Sequence, residues 1–322
     1  MRALVTGAAG FIGAHVATAL ADAGAAVRAL DRGFPDGALP GAIEQVTGDI
    51  LDPEAIVRAI AGCDAIFHLA AVYSYARADE ALMETVNVGG TRALLDAAAR
   101  AAPRARVIHT SSCATCGPVP GRPATEQDAP PPWELAVPYK RTKLEGERLA
   151  LAAARDGLDV VVVNPTTPVG PGDRRPTPTG KMVADVARGQ ARAYLAGGAL
   201  NVVAVEDVAA GHLLAHERGR AGERYLLGGE NLTMREVFGT VAAAAGRPAP
   251  RVAIPWRLAY LVARGADAAM RAVGREPSLL VLDEVRLARL PMTFDDAKAR
   301  RELGHRSRPA REALAAAGRA VR

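Results

Sequence analysis

The chain has 322 residues, 49% of them hydrophobic and 23% charged, which is the make-up of a folded globular protein rather than a disordered or fibrous one. Its 40 Lys and Arg are dispersed among 35 Asp and Glu, so the net charge of +5 argues against a nucleic-acid surface. No run of about 18 apolar residues is present to span a membrane, and three cysteines (Cys63, Cys113, Cys116) are too few for a disulfide framework, which points to a reducing, cytoplasmic setting.

In chain order, no leader pattern precedes the first apolar run. Strands are predicted at Ala3–Thr6, Val27–Asp31, Gln45–Thr47, Ala65–Leu69, Arg106–Thr110 and Val160–Asn164. Helices are predicted between them at Ile12–Ala23, Pro53–Ala61, Leu82–Ala101 and Tyr139–Asp156. Short Val/Ile/Ala runs alternating with helices predict an α/β fold, a Rossmann-type doubly wound parallel sheet covered on both faces. After Asn164 the pattern breaks. Pro165, Pro168, Pro171, Pro176 and Pro178 with Gly170, Gly172 and Gly180 predict a long shaped loop. A strand at Asn201–Val205, a helix from Asp207, a strand at Arg224–Leu227 and mostly helix thereafter complete a smaller C-terminal substrate lobe. The expected division is a dinucleotide-binding domain over 1–165 and a lobe over 166–322, with chain crossings back near 200–218.

The first strand runs into Gly7-Ala8-Ala9-Gly10-Phe11-Ile12-Gly13 and then a helix. Glycines there let backbone approach a pyrophosphate, and the helix N-terminus adds free N–H donors and partial positive charge. Gly7, Gly10, Phe11, Ile12 and Gly13 are therefore candidate cofactor contacts, and a merely tight turn is the alternative. Asp31 ends the second strand 18 residues after Gly13, placed to accept from adenosine ribose hydroxyls, which favours NAD over NADP. Arg32 beside it could instead pair with a 2′-phosphate. Asp49 and Ile50 are placed to meet the adenine, and Leu69, Ala70 and Ala71 leave room for the dinucleotide.

Tyr139 and Lys143 are i, i+4 on one helix face. A nearby ammonium and a positive nicotinamide ring would acidify the phenol for proton exchange with a secondary alcohol. Ser112, 27 residues before Tyr139 at a strand end, could orient the same substrate oxygen. Cys113-x-x-Cys116 could suggest zinc, but no second pair exists, so a substrate-loop lining is expected. His212 and His216 lack the Glu of a zinc-protease helix and read as a packed helix face. The stretch Trp256 to Arg275, with Arg257, Arg264 and Arg271, could lie on a membrane, although an ordinary lobe helix is favoured. Arg174, Arg175 and Lys181 could bind an anionic substrate group or simply be solvated.

Thr6–Gly13, Phe67–Ala71, Thr110–Ser112 and Tyr139–Lys143 together resemble the extended short-chain dehydrogenase/reductase family over nearly the whole chain. Asn164–Asp173, Pro176–Gly180 and Gly228–Thr233 look most like its hopanoid-associated sugar epimerases, themselves similar to dihydroflavonol reductases. The resemblance implies Tyr139 as acid/base, Lys143 on the nicotinamide ribose, Ser112 as orienter, Pro165 beside the nicotinamide and Asn87 supporting the lysine through water. It also implies a homodimer through the helices around Leu82–Ala101 and Tyr139–Asp156. Substrate contacts are expected from Cys113, Ala114, Asn164, Arg174 and Lys181.

Departures from the family pattern narrow the reaction. Cys113-Ala114 stand where dehydratases carry an Asp-Glu pair. Leu200–Val205 lacks the Arg that usually grips a nucleotide diphosphate. Hopanoid-associated relatives do not generally carry an acid at the Asp31 position. The expected function is NAD(P)-dependent hydride transfer on a small, sugar-like molecule, foremost as a sugar epimerase through a transient keto intermediate. A carbonyl reductase is the alternative, and a non-catalytic sensor a more distant one.

Overall fold

A computed structural model describes residues 1–174, 176–272 and 282–321. Elements β1 (Arg2–Thr6), α1 (Phe11–Asp22), β2 (Ala26–Asp31), β3 (Glu44–Thr47), α2 (Pro53–Ile60) and β4 (Ala65–His68) open the chain. A helical turn α3 (Glu80–Met83), a π-helical turn at Glu84–Gly90 and α4 (Thr91–Ala101) follow. Then come β5 (Arg106–Thr110), α5 (Pro138–Arg155) and β6 (Val160–Pro165). Next are β7 (Thr167–Val169), α6 (Pro178–Ala187), β8 (Ala193–Leu195), β9 (Ala199–Ala204), α7 (Val205–Arg218) and β10 (Arg224–Leu227). The remainder is β11 (Glu230–Thr233), α8 (Met234–Ala244), β12 (Val252–Ile254), α9 (Trp256–Ala272), α10 (Leu282–Leu287), α11 (Ala297–Glu302) and α12 (Ala310–Ala320).

The main sheet has seven strands in the order β10-β6-β5-β4-β1-β2-β3, paired parallel throughout. Every residue of β4 and β6 is buried, as Val/Ile-rich strands covered on both faces must be. One face is covered by α1 and α7 through Val16, Leu20, Val208 and Ala215. The other is covered by α2, α4 and α5 through Ile56, Ile60, Leu94 and Ala150. Strand order reverses between β1 and β4, and in such sheets a crevice for ligand opens at the carboxyl ends of the strands on either side of that point.

The lobe wraps a small core of Val183, Val186, Val237, Phe238, Val241 and Leu314 from α6, α8 and α12 around the sheet β11-β9-β7. The chain also crosses back: α7 joins the core with α1, and β10 adds to the main sheet beside β6.

Three local expectations give way. The single helix over Leu82–Ala101 is interrupted by the π turn, in which Asn87 accepts from Val72 N–H at 2.7 Å. The proline-rich stretch is not one loop. It holds β7, and α6 begins at Pro178, where the missing N–H is not needed, under a Thr177 cap accepting from Gly180 N–H at 3.0 Å. The helix expected from Asp207 begins two residues earlier, at Val205, and short strands β11 and β12 interrupt the expected helical end.

Candidate functional site

A cavity of about 790 Å³ runs along the carboxyl edge of the sheet. Gly7, Gly10, Phe11, Ile12, Gly13, Asp31, Arg32, Asp49, Ile50, Leu69, Ala70, Ala71 and Pro165 all line it. The loop needs its glycines. Gly7 has φ +68°, and a Cβ there would stand 2.7 Å from the Ala70 backbone. A Cβ on Gly13 would stand 2.1 Å from the Gly7 carbonyl oxygen. Gly10 is the N-cap of α1 with no side-chain cap and no acid in the first turn, so the helix end keeps its donors and its positive field for a ligand. Asp31 is fixed by two backbone donors, Ala9 N–H at 2.9 Å and Arg32 N–H at 2.8 Å. Loop, helix end and carboxylate together form a cradle that side chains would fill, so the residues present fit a dinucleotide.

Tyr139, at the start of α5, lines the cavity with Ser112, whose hydroxyl acts to lower the phenol's pKa. Lys143 lies one turn on, buried, with its ammonium donating to the Thr110 carbonyl at 2.8 Å. It does not line the cavity. Burial lowers the Lys143 pKa to about 8, against the pull of Glu147. Lys143 is not among the groups that shift the Tyr139 phenol, its ammonium being turned to the Thr110 carbonyl. Burial pushes the phenol up, the neighbouring Tyr73 adds to this, and Ser112 alone opposes it. Tyr139 is therefore held as a protonated phenol, a proton donor.

Asn87 places its carboxamide on Val72 N–H and C=O and on Thr142. Behind it, α5 approaches so closely that a Cβ on Gly146 would stand 2.8 Å from the Asn87 carbonyl.

Of the expected substrate contacts, Cys113 and Ala114 line the cavity. Burial pushes the Cys113 thiol up to about 12, so it is a neutral lining group rather than a nucleophile. Asn164 does not reach the cavity. It is fully buried and donates to the Ser112 carbonyl, Thr115 and Glu147 at 3.1, 2.9 and 2.6 Å, because it sits inside the last parallel turns of β6 and braces the Ser112 loop from behind. Lys181 also stays out, exposed and paired with Asp185 one turn along α6 at 3.3 Å. Arg174 lines the cavity but donates to the Gly37 carbonyl at 2.7 Å, near the β2 end rather than the substrate end. Arg175 lies outside the described residues.

No group of three metal-ligating side chains exists among the described residues. His212 bonds Thr110 and the Val208 carbonyl at 2.9 and 2.8 Å, and burial lowers its pKa to about 4.

Sequence reasoning missed Tyr73, Tyr75, Glu147 and Glu284. The Tyr73 ring lies 4.4 Å from that of Tyr139 and the Tyr75 ring 6.0 Å, while their own hydroxyls meet at 3.2 Å. The available signal was the Tyr-Ser-Tyr directly after Leu69-Ala70-Ala71-Val72. Glu147 is buried and takes hydrogen bonds from Thr115, Asn164 and Arg224. Glu284 of α10 faces the cavity, and the surrounding protein pushes its carboxyl pKa up against the pull of Lys181. No local pattern marks it.

Beyond Tyr139 the cavity is walled by Met182, Leu195, Leu200, Leu287, Leu290 and Met292. Among the described residues, its basic lining groups are Arg32, Arg174 and Lys140. Lys140 is consumed by a buried pair with Glu134 and a bond to the Gly117 carbonyl.

Comparison with known proteins now adds to the geometry. Residues 3–228 match the family model of the NAD dependent epimerase/dehydratase family. Sterol demethylase protein B of Methylococcus capsulatus is 39% identical over 307 residues, covering 94% of this chain and 93% of that one. A 4-hydroxy-2-methyl-3-oxo-4-farnesyl-3,4-dihydroquinoline-1-oxide ketoreductase of Stigmatella aurantiaca is 34% identical over 318 residues, covering 96% and 92%. The crystal structure of a nucleoside-diphosphate-sugar epimerase from Pseudomonas aeruginosa superposes with TM-score 0.78 at 29% identity, covering 98% of this chain and 96% of that one.

Proposed function

The chain belongs to the NAD-dependent epimerase/dehydratase family, and we propose that it is an NAD-dependent oxidoreductase acting on a secondary alcohol or ketone of a bulky, largely apolar molecule. The observation that carries this reading is the substrate end of the cavity, walled by Met and Leu and, among the described residues, without a free guanidinium or ammonium. A nucleotide diphosphate brings charge that such a wall would leave unpaired, whereas an apolar skeleton is rewarded for its burial. Relatives named for a sterol and for a farnesylated quinoline ketone support the same chemistry.

In this reading the glycine loop and the α1 N-terminus hold the pyrophosphate, Asp31 the adenosine ribose, and Pro165 borders the nicotinamide. The nicotinamide supplies or accepts the hydride. Ser112 holds the substrate oxygen beside Tyr139, and Tyr139 delivers its proton to that oxygen. Lys143, one turn along α5, braces the Ser112 strand end through its bond to the Thr110 carbonyl.

A second reading, the sugar epimerase, is favoured by one observation. The Tyr73 and Tyr75 hydroxyls and Glu284 form a polar cluster that could hold sugar hydroxyls. The two are separated by assaying purified protein with NADH and apolar fused-ring ketones, and with NAD and nucleotide sugars. Net NADH consumption with the ketones is expected. Interconversion of a nucleotide sugar without net redox change, and no ketone turnover, would replace the first reading by the second.

Asp31→Ala is expected to erode the preference for NAD over NADP by about tenfold or more, since the carboxylate both accepts from ribose and repels a 2′-phosphate. Equal NAD and NADP affinities in the parent protein would show that the carboxylate does not select.

A further inference from the structure

The four most exposed large apolar side chains among the described residues all fall between residues 252 and 262: Leu261 at 63%, Val252 at 59%, Val262 at 57% and Leu258 at 54%. On α9, Leu258, Leu261, Val262 and Gly265 follow the i, i+3, i+4, i+7 spacing of one helix face. The opposite face is occupied. Ala259 and Ala263 pack with Leu282 and Val285 of α10 and Leu195 of β8. Trp256 stacks on Tyr260 at 5.0 Å and donates its indole N–H to the Val285 carbonyl at 2.6 Å. The helix is thus anchored by one side and presents a second apolar side to the outside, which an ordinary lobe helix does not do.

The charge around that face is mainly positive: Arg247, Arg251, Arg257 and Arg264 lie between residues 247 and 266, and the acid of α9, Asp267, falls nine residues after Leu258 and so on the opposite side of the helix. Arg251, Arg257 and Arg264 are exposed. An apolar stripe rimmed by guanidinium groups is the chemistry of a surface that enters the headgroup layer of an anionic bilayer. A second copy of this chain fits less well, because a two-fold contact would set these arginines against their own mates.

We propose that the outer face of α9, together with Val252, docks this protein on anionic lipid bilayers. Leu258, Leu261 and Val262 enter the acyl boundary, and Arg251, Arg257 and Arg264 meet lipid phosphates. The inner face of α9 rests on α10, whose Glu284 and Leu287 line the substrate cavity. Docking therefore sets the apolar end of the cavity one helix layer from the lipid. Among the described residues no helix is long and apolar enough to cross a membrane, so the attachment is peripheral.

The test is sedimentation of the purified full-length protein with phosphatidylglycerol vesicles and with phosphatidylcholine vesicles. Binding to the first, weak binding to the second, and weakening with salt are expected. The combined Leu258→Ser, Leu261→Ser, Val262→Ser variant should bind at least about tenfold more weakly. Arg257→Gln with Arg264→Gln, at two exposed positions, should lose about tenfold and guards against misfolding of the first variant. Both variants should retain NADH binding and the parent's ketone turnover in detergent-free solution, so failure of the substrate reading and failure of docking give different results. Three outcomes overturn the proposal: no sedimentation of the parent with phosphatidylglycerol, equal binding by both variants, or an oligomer of the parent that the triple variant dissolves.

Discussion

Tyr139→Phe is expected to bind NAD as tightly as the parent and to turn over at least about a hundredfold more slowly, the usual size of an acid/base contribution. The substitution removes one oxygen and keeps the ring. The ring is what packs, against Tyr73 at 4.4 Å and Tyr75 at 6.0 Å, so the Tyr73–Tyr75 wall should stand. What disappears is the proton donor that shares the cavity with Ser112. Tyr73→Phe is the matched comparison: it loses one contact to the Tyr75 hydroxyl at 3.2 Å and should change turnover far less. Cofactor binding is read by quenching of protein fluorescence and turnover by nicotinamide absorbance. Tyr139→Phe turnover within a few-fold of the parent would move the proton chemistry elsewhere, with Tyr73 the next candidate.

The contrast between these two tyrosines also shows what a sequence can carry. Tyr139 is legible because its chemistry is local: a phenol one helical turn from an amine, preceded by a serine at a strand end. The glycine loop is legible because its spacing between strand and helix is local, and Gly13 is demanded by the Gly7 carbonyl six residues before it, although Gly7 itself is demanded by the Ala70 backbone across the sheet. The parallel sheet follows from strands that read as unbroken apolar runs. Tyr73 and Glu284 reach the same cavity from opposite ends of the chain, and nothing short of the folded packing brings them together. Asn164 and Lys181 illustrate the reverse error. Both stand near the site in sequence, but β6 turns Asn164 inward to Glu147 and α6 turns Lys181 outward to Asp185. Along β6 the alternation of faces decides, and a one-residue difference in register reverses the answer, whereas around α6 each residue turns the side chain by about 100°. The missed start of α6 had a usable signal, a threonine before a proline, which is a cap followed by a first helical residue. The π turn had none, because it comes from Asn87 binding the Val72 backbone across the sheet edge.

Gly13→Ala should be severely damaging for a single methyl. The added carbon would stand 2.1 Å from the Gly7 carbonyl oxygen and 3.0 Å from the Ala8 Cα, and both are backbone. No rotamer can relieve a clash between main-chain atoms, so β1 and α1 must separate, and the cradle opens with them. Overpacking of a closed site typically costs about 1–3 kcal/mol and more where backbone must move. An affinity loss of at least about a hundredfold for NAD, with a clear drop in Tm, is therefore expected. Gly239→Ala supplies the control. Gly239 lies within α8, a Cβ there meets nothing within 4 Å, and helix propensity alone should raise stability by about 0.5–1 kcal/mol. Calorimetry of both variants with and without NAD separates the two effects. A Gly13→Ala protein that melts with the parent and still gains stability from NAD would mean that the turn tolerates a side chain, and that the pyrophosphate is not seated against it.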